Sequence, residues 1–137
     1  MRKYRYLTPA AAAVLFWTLL GCSMFGSPEP VDETHQGTLT DSSERLPDDN
    51  SPFDSYEFEA GSGWTVTIDM MSTEFDTYLL LEGPGGVRVA QDDDGGEGTN
   101  ARISYTTTAS GTHKVIANSY SDSGRGAYTL RIVANPT

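Results

Sequence analysis

The chain has 137 residues, with nine Lys/Arg against nineteen Asp/Glu and one cysteine. This length argues for a single domain, and the formal charge of −10 argues against nucleic acid or an anionic headgroup surface as a partner, since both would be repelled. A lone cysteine excludes an intramolecular disulfide, so the core has to hold unaided.

The first segment has the composition of an export signal. Arg2, Lys3 and Arg5 make a basic start, and Ala10 to Leu20 is a short apolar stretch, too short to serve comfortably as a bilayer span. Leu19-Leu20-Gly21-Cys22 follows directly and resembles a bacterial lipobox, in which the cysteine is lipidated and becomes the new N-terminus. Leu20 departs mildly from that pattern, which more often has a small residue there. The resemblance implies removal of residues 1–21 and a palmitate-type acyl chain on Cys22. Because Ser23 rather than aspartate follows the cysteine, it also implies an outer-membrane destination in a bacterium with two membranes. Cleavage leaves six Lys/Arg against nineteen Asp/Glu, a formal charge of −13. Such a surface suits cation binding, or simply solubility.

Residues 23 to 50 are rich in Ser, Pro, Asp, Glu and Thr and poor in apolar side chains, so they cannot order themselves alone. We read 22–35 as a flexible tether carrying the lipid and 36–137 as the domain, with Gln36 to Leu39 as a first edge strand. Tyr56 and Phe58 alternate with Glu57 and Glu59. After a turn at Ala60 to Gly63, Trp64, Val66, Ile68 and Met70 alternate with Thr65, Thr67 and Asp69. That period of two puts one face in a core and one in water.

Tyr78 to Leu81 is apolar on both faces, which places it inside a sheet. A Gly83-Pro84-Gly85-Gly86 turn and Val87 to Ala90 complete a hairpin. Strands follow at Arg102 to Thr108, Thr112 to Asn118 and Ala127 to Val133, with a polar loop from Ser119 to Gly126. No segment of the domain has a helical period. Short strands separated by turn signals predict an all-β sandwich or barrel.

In their order, these segments resemble the bacterial pre-peptidase C-terminal (PPC) domain. The match runs through Tyr56-Glu57-Phe58, Trp64 to Asp69, Phe75-Asp76-Thr77-Tyr78-Leu79, the Gly83 to Gly86 turn and Asp92 to Gly96. It continues through Ala101-Arg102-Ile103, Ser110-Gly111-Thr112-His113 and Gly126-Ala127-Tyr128-Thr129-Leu130, over residues 36 to 134. His113 stands where the family usually has an aromatic residue. The resemblance implies a jelly-roll-like antiparallel β-sandwich. It also implies a non-catalytic accessory module, since the family normally lies beside a peptidase domain. Members in clostridial collagenases bind collagen and calcium.

The residues themselves give little support to catalysis. There is no G-x-S-x-G elbow and no H-E-x-x-H zinc motif. His113 shares its strand face with Val115 and Ala117, which makes it a hydrogen-bonded core imidazole. An acidic-pair hydrolase is the enzymatic alternative, because so many carboxylates can pair. The best candidate site is Asp92, Asp93 and Asp94 on a Gly-rich loop, joined by Asp76 from the far arm of the hairpin. Calcium takes several oxygen ligands in irregular geometry, so these four aspartates are the candidate calcium ligands. The competing assignment makes Asp92 and Asp94 turn caps that accept backbone N–H bonds.

Of the aromatic residues, Trp64 is expected in the core and Tyr120 on the surface, where it would suit a carbohydrate or protein ligand. The expected function is a membrane-anchored binding module of the cell envelope, with a protein, peptidase or polysaccharide partner. The alternative is a structural envelope lipoprotein with no discrete ligand.

Overall fold

The computed structural model describes residues 26–137. Cys22 and the signal segment lie outside them. Nine strands follow in order: β1 (Val31–Leu39), β2 (Glu44–Arg45), β3 (Pro52–Ala60), β4 (Thr65–Met71), β5 (Thr77–Glu82), β6 (Arg88–Asp92), β7 (Ala101–Thr106), β8 (Gly111–Ser119) and β9 (Gly126–Asn135). One sheet has the order β1-β9-β4-β7 and the other β2-β3-β8-β5-β6, with every pairing antiparallel. Without the two-residue β2, the first of the eight main strands pairs with the last and the second with the seventh. That nesting is the jelly roll.

The period-2 pattern sets the interior. Val66, Ile68 and Met70 of β4 face Leu130, Ile132 and Ala134 of β9 on one sheet, and Phe58, Leu79, Leu81, Val115 and Ala117 close the core from the other. Full burial of each large apolar side chain stabilises the fold by about 1.5–3 kcal/mol. Trp64 is buried just before β4, and its backbone N–H donates to the Thr107 hydroxyl at 2.8 Å. His113 is buried, stacks on Phe58 with ring centroids 5.4 Å apart, and places Nδ1 3.0 Å from the Gly111 carbonyl.

The first strand is longer than the sequence suggests. Residues 31–35, read above as tether, belong to β1, which pairs along its whole length with β9 from Val31↔Ala134 to Leu39↔Gly126. An edge strand needs no apolar period when main-chain pairing holds it. Here Arg131 also grips Asp32 through two hydrogen bonds of 3.1 and 3.0 Å, and His35 packs on Tyr56 at 4.6 Å. Across the pair, the hydroxyl end of Tyr128 packs against Gly37, where an added Cβ would lie 2.2 Å from the hydroxyl oxygen and 2.3 Å from Cζ. Buried there, the Tyr128 hydroxyl donates to Asp54 at 2.5 Å and meets the Tyr56 hydroxyl at 2.6 Å. Burial first, and then Asp54 and Tyr56, raise its pKa far above the usual range for a phenol.

The five-stranded sheet is covered on its outer side too. Leu80 and Ile116 point away from the core yet are only 2% and 3% exposed. The connection between β2 and β3 reaches over this face. It is closed by Leu46 N–H donating to the Ser51 carbonyl at 3.0 Å and by Asn50 N–H donating to the Leu46 carbonyl at 2.9 Å. The Ser51 hydroxyl and N–H hold the Asp49 carboxyl below its usual range, and Arg88, on the far edge strand β6, adds to the effect. Asn50 takes a left-handed backbone (φ 59°) to close this loop, a conformation asparagine tolerates better than most residues.

Candidate functional site

The β5–β6 hairpin turns through Gly83 to Val87. Gly83 N–H donates to the Val87 carbonyl and Gly86 N–H to the Gly83 carbonyl, both at 2.9 Å. A register shift at Leu81/Glu82 marks a bulge. The pairing Leu79↔Asp92 brings the end of β6 back beside the start of β5, as expected of a hairpin. The four candidate aspartates therefore lie at one end of the sandwich, but they do not act together.

Asp92 is a cap. Its Oδ2 accepts Gly95 N–H at 2.7 Å and Arg102 N–H at 2.8 Å, which ties the Gly-rich loop to the start of β7. A side chain on Gly95 would run into that carboxylate. Asp92 thus drops out of the candidate ligand set. The reason is the strand's period of two: Asp92 lies opposite Leu79, and one step further Asp93 turns to the outer face, the side of Tyr78 and Asp76.

Asp76, Asp93 and Asp94 do converge. Each offers a carboxylate oxygen, and these oxygens all lie within 4.8 Å of one another. Oδ1 of Asp76 and Oδ1 of Asp93 are buried without a hydrogen-bond partner. Burial, and then the Asp94 charge, push the Asp76 carboxyl above its usual range. Asp93 is pushed the same way by burial, then by Asp76 and Asp94. Like charges this close, partly out of water, repel strongly. A hard cation fits such a set, because carboxylate oxygens are its preferred ligands and Asp94 leaves one side exposed.

Thr77 holds the cluster in place. Fully buried beside Asp76, its hydroxyl accepts Ala101 N–H at 2.8 Å and donates to the Thr99 carbonyl at 3.0 Å. Thr77 N–H also donates to Thr99 at 3.3 Å. The loop closes on itself through Gly96 N–H to the Asn100 carbonyl at 2.9 Å and Asn100 N–H to Glu97 at 3.1 Å. Both strand and loop are thus fixed against one buried side chain.

The neighbouring surface carries Tyr120, expected there from the sequence, and Asn118, which the sequence did not single out. Tyr120 N–H donates to the Asp76 carbonyl at 2.9 Å, and the Tyr120 ring meets Tyr78 edge-on at 6.1 Å. Tyr120 is 58% exposed, as expected of a surface aromatic. Asn118 lies opposite Tyr78. It alternates with core residues in an ordinary way, and only the burial of the outer face makes it conspicuous. The two histidines are far from this cluster in the fold. His35 pairs with Glu33 at 3.1 Å on β1, and His113 is in the core.

No protein-family model matches the sequence, and no curated protein matches it. Solved structures do. The pre-peptidase C-terminal domain of a collagenase from Bacillus anthracis superposes with a TM-score of 0.55 at 17% identity, over 74% of this chain and 89% of that domain. A periplasmic inhibitor of g-type lysozyme from Aeromonas hydrophila gives 0.55 at 13% identity, over 79% of this chain and 88% of the inhibitor. The Salmonella Typhimurium inhibitor gives 0.50 at 15% identity, over 80% and 91%. At such identities the likeness is one of fold. The described residues form a jelly-roll β-sandwich of the kind seen in the pre-peptidase C-terminal domain.

Proposed function

We propose that this protein is a lipid-anchored, non-catalytic binding module of the bacterial envelope whose Asp76–Asp93–Asp94 cluster takes calcium. The observation that carries the metal reading is the convergence of three carboxylates, two of them with a buried, unpartnered oxygen. The anchor rests on the basic start, the short apolar stretch and Leu19-Leu20-Gly21-Cys22. A binding role is supported by the fold's other uses: one neighbour is a domain of a collagenase, and two are periplasmic inhibitors of lysozyme. A protein or polysaccharide partner in the envelope fits this reading. The non-catalytic reading is supported by the two histidines, which meet the Glu33 carboxylate and the Gly111 carbonyl and not a serine hydroxyl.

The test is thermal melting in EDTA, in millimolar calcium and in magnesium at matched ionic strength. A ligand at a hundredfold excess over its dissociation constant stabilises the native state by about 2.7 kcal/mol. For a domain of this size, calcium is expected to raise the melting temperature by about 3 to 8 °C. Magnesium is expected to do less, because it demands strict octahedral geometry and gives up water reluctantly. Equal melting in all three conditions overturns the calcium site. The anchor is tested separately, by fatty-acid labelling in cells of the parent and of Cys22→Ala. A parent that takes no label overturns it.

A further inference from the structure

The peptide group between Asp76 and Thr77 is bonded on two sides. Its C=O, from Asp76, accepts Tyr120 N–H at 2.9 Å, and its N–H, from Thr77, donates to the Thr99 carbonyl at 3.3 Å. A peptide group is one rigid plane, so the two bonds move together. Thr99 lies near the end of the loop that Asp93 and Asp94 begin, and Tyr120 begins the turn from β8 to β9. One plane therefore joins both connections, and the side chain on its Asp76 side belongs to the carboxylate cluster.

The rest of these connections is tied down without the cluster. Buried Thr77 holds the end of the first loop through the Thr99 carbonyl and Ala101 N–H. Arg45 and Arg125 both donate to the Asp122 carbonyl at 3.0 Å, which holds the middle of the β8–β9 turn. Tyr120 lies between these anchors, with its ring exposed and edge-on to Tyr78. Asp76 is the residue just outside the anchored strand β5. When the three carboxylates are ionised and hold no cation, Asp93 and Asp94 repel it, and the chain yields there, at the carbonyl that carries Tyr120.

We propose that cation occupancy of the Asp76–Asp93–Asp94 cluster fixes the position of Tyr120, which makes this exposed tyrosine a cation-controlled contact surface. Gathering the carboxylates on one ion removes the repulsion and keeps the Asp76–Thr77 plane bonded on both sides. Linkage runs both ways, so a partner that holds Tyr120 in place raises the affinity for the cation by the same factor. The coupling rests on the calcium reading of the cluster.

The test is amide hydrogen exchange of the full chain, read residue by residue by NMR, in EDTA and in calcium at about a hundredfold excess over its dissociation constant. In EDTA, Tyr120 N–H is expected to exchange faster than the Val115 and Ala117 amides of β8, the mark of a local opening. Calcium is expected to slow it by about tenfold or more, toward the hundredfold limit set by mass action. Amides at the start of β1, at the far end of the sandwich, are expected to keep their rates. Asp93→Asn removes one repelling charge, so it is expected to slow Tyr120 exchange already in EDTA and to abolish the response to calcium. Should Asp93→Asn fail to fold, the wild-type comparison decides alone. If calcium raises the melting temperature but leaves Tyr120 exchange as it was, the coupling is overturned and the calcium site stands. Equal slowing at the start of β1 also overturns it, since that is general stabilisation. So does an Asp93→Asn protein whose Tyr120 amide responds to calcium as wild type does. If calcium moves neither melting nor exchange, the calcium site itself is overturned, and the coupling with it.

Discussion

Asp76 and Asp93 hold their carboxylates together at the open end of the β5–β6 hairpin, each with one oxygen buried and unpartnered. Asp92, one residue away from Asp93, instead spends its carboxylate on two backbone N–H groups. Neighbours in sequence thus have opposite electrostatic roles, and substitution separates them.

Asp93→Asn should raise the melting temperature in EDTA, because it removes a charge that repels two others, and it should abolish the calcium-dependent rise. Asp92→Ala should do the reverse. It loses the loop cap, with a cost of about 1–2 kcal/mol, while much of the calcium-dependent rise survives. Melting of both variants with and without calcium checks the pair. If Asp92→Ala and Asp93→Asn behave alike, the division between cap and ligand is wrong.

A pH dependence follows from the same geometry. Folding raises the Asp76 and Asp93 carboxyls above their ordinary value of 3.8. The folded state therefore holds protons that the unfolded state has already released. The cost of the ionised cluster is fully present above the raised values and disappears as pH falls toward the ordinary one. Asp49 has the opposite sign, since its lowered pKa makes its contribution fade as pH falls. Comparing wild type with Asp93→Asn cancels Asp49. In EDTA, the melting advantage of Asp93→Asn should be largest at neutral pH and should shrink on acidification. An advantage that is flat across the range counts against repulsion as its source.

The sequence shows most of this architecture because most of it obeys a period of two. Trp64 to Met70 alternates cleanly, so its inward face could be named without coordinates. Leu79 to Leu81 is apolar on both sides and does lie between two strands. Two parts could not be read. The first half of β1 has no apolar period, because main-chain pairing to β9 and the Arg131–Asp32 pair hold it in place. The buried state of Asn118 depends on an outer face covered from residues far away in the chain. At the site, the sequence shows four aspartates near one another. Which of them face the same way depends on the register at Leu79↔Asp92.

The close approach of Tyr128 to Gly37 predicts a sensitive edge. Gly37→Ala drives a methyl group into the hydroxyl end of Tyr128, and overpacking of this kind costs about 1–3 kcal/mol. The loss should be local to β1, where amide hydrogen exchange over residues 31–39 should speed up more than over β4. Tyr128→Phe keeps the ring and should leave β1 paired, at the smaller cost of the hydroxyl's bonds to Asp54 and Tyr56. Uniform acceleration of exchange in Gly37→Ala would show instead that β1 unfolds only with the whole sandwich.

The pairing of Val31 with Ala134 has a directional consequence. Chain entry and chain exit share one end of the sandwich, while Leu39, Gly126 and the aspartate cluster share the other. Nine residues of β1, at about 3.4 Å each, separate the two ends by about 30 Å. On the proposed N-terminal anchor, the domain is attached at its chain-entry end, and the carboxylates lie at the opposite end, about 30 Å further along the sandwich.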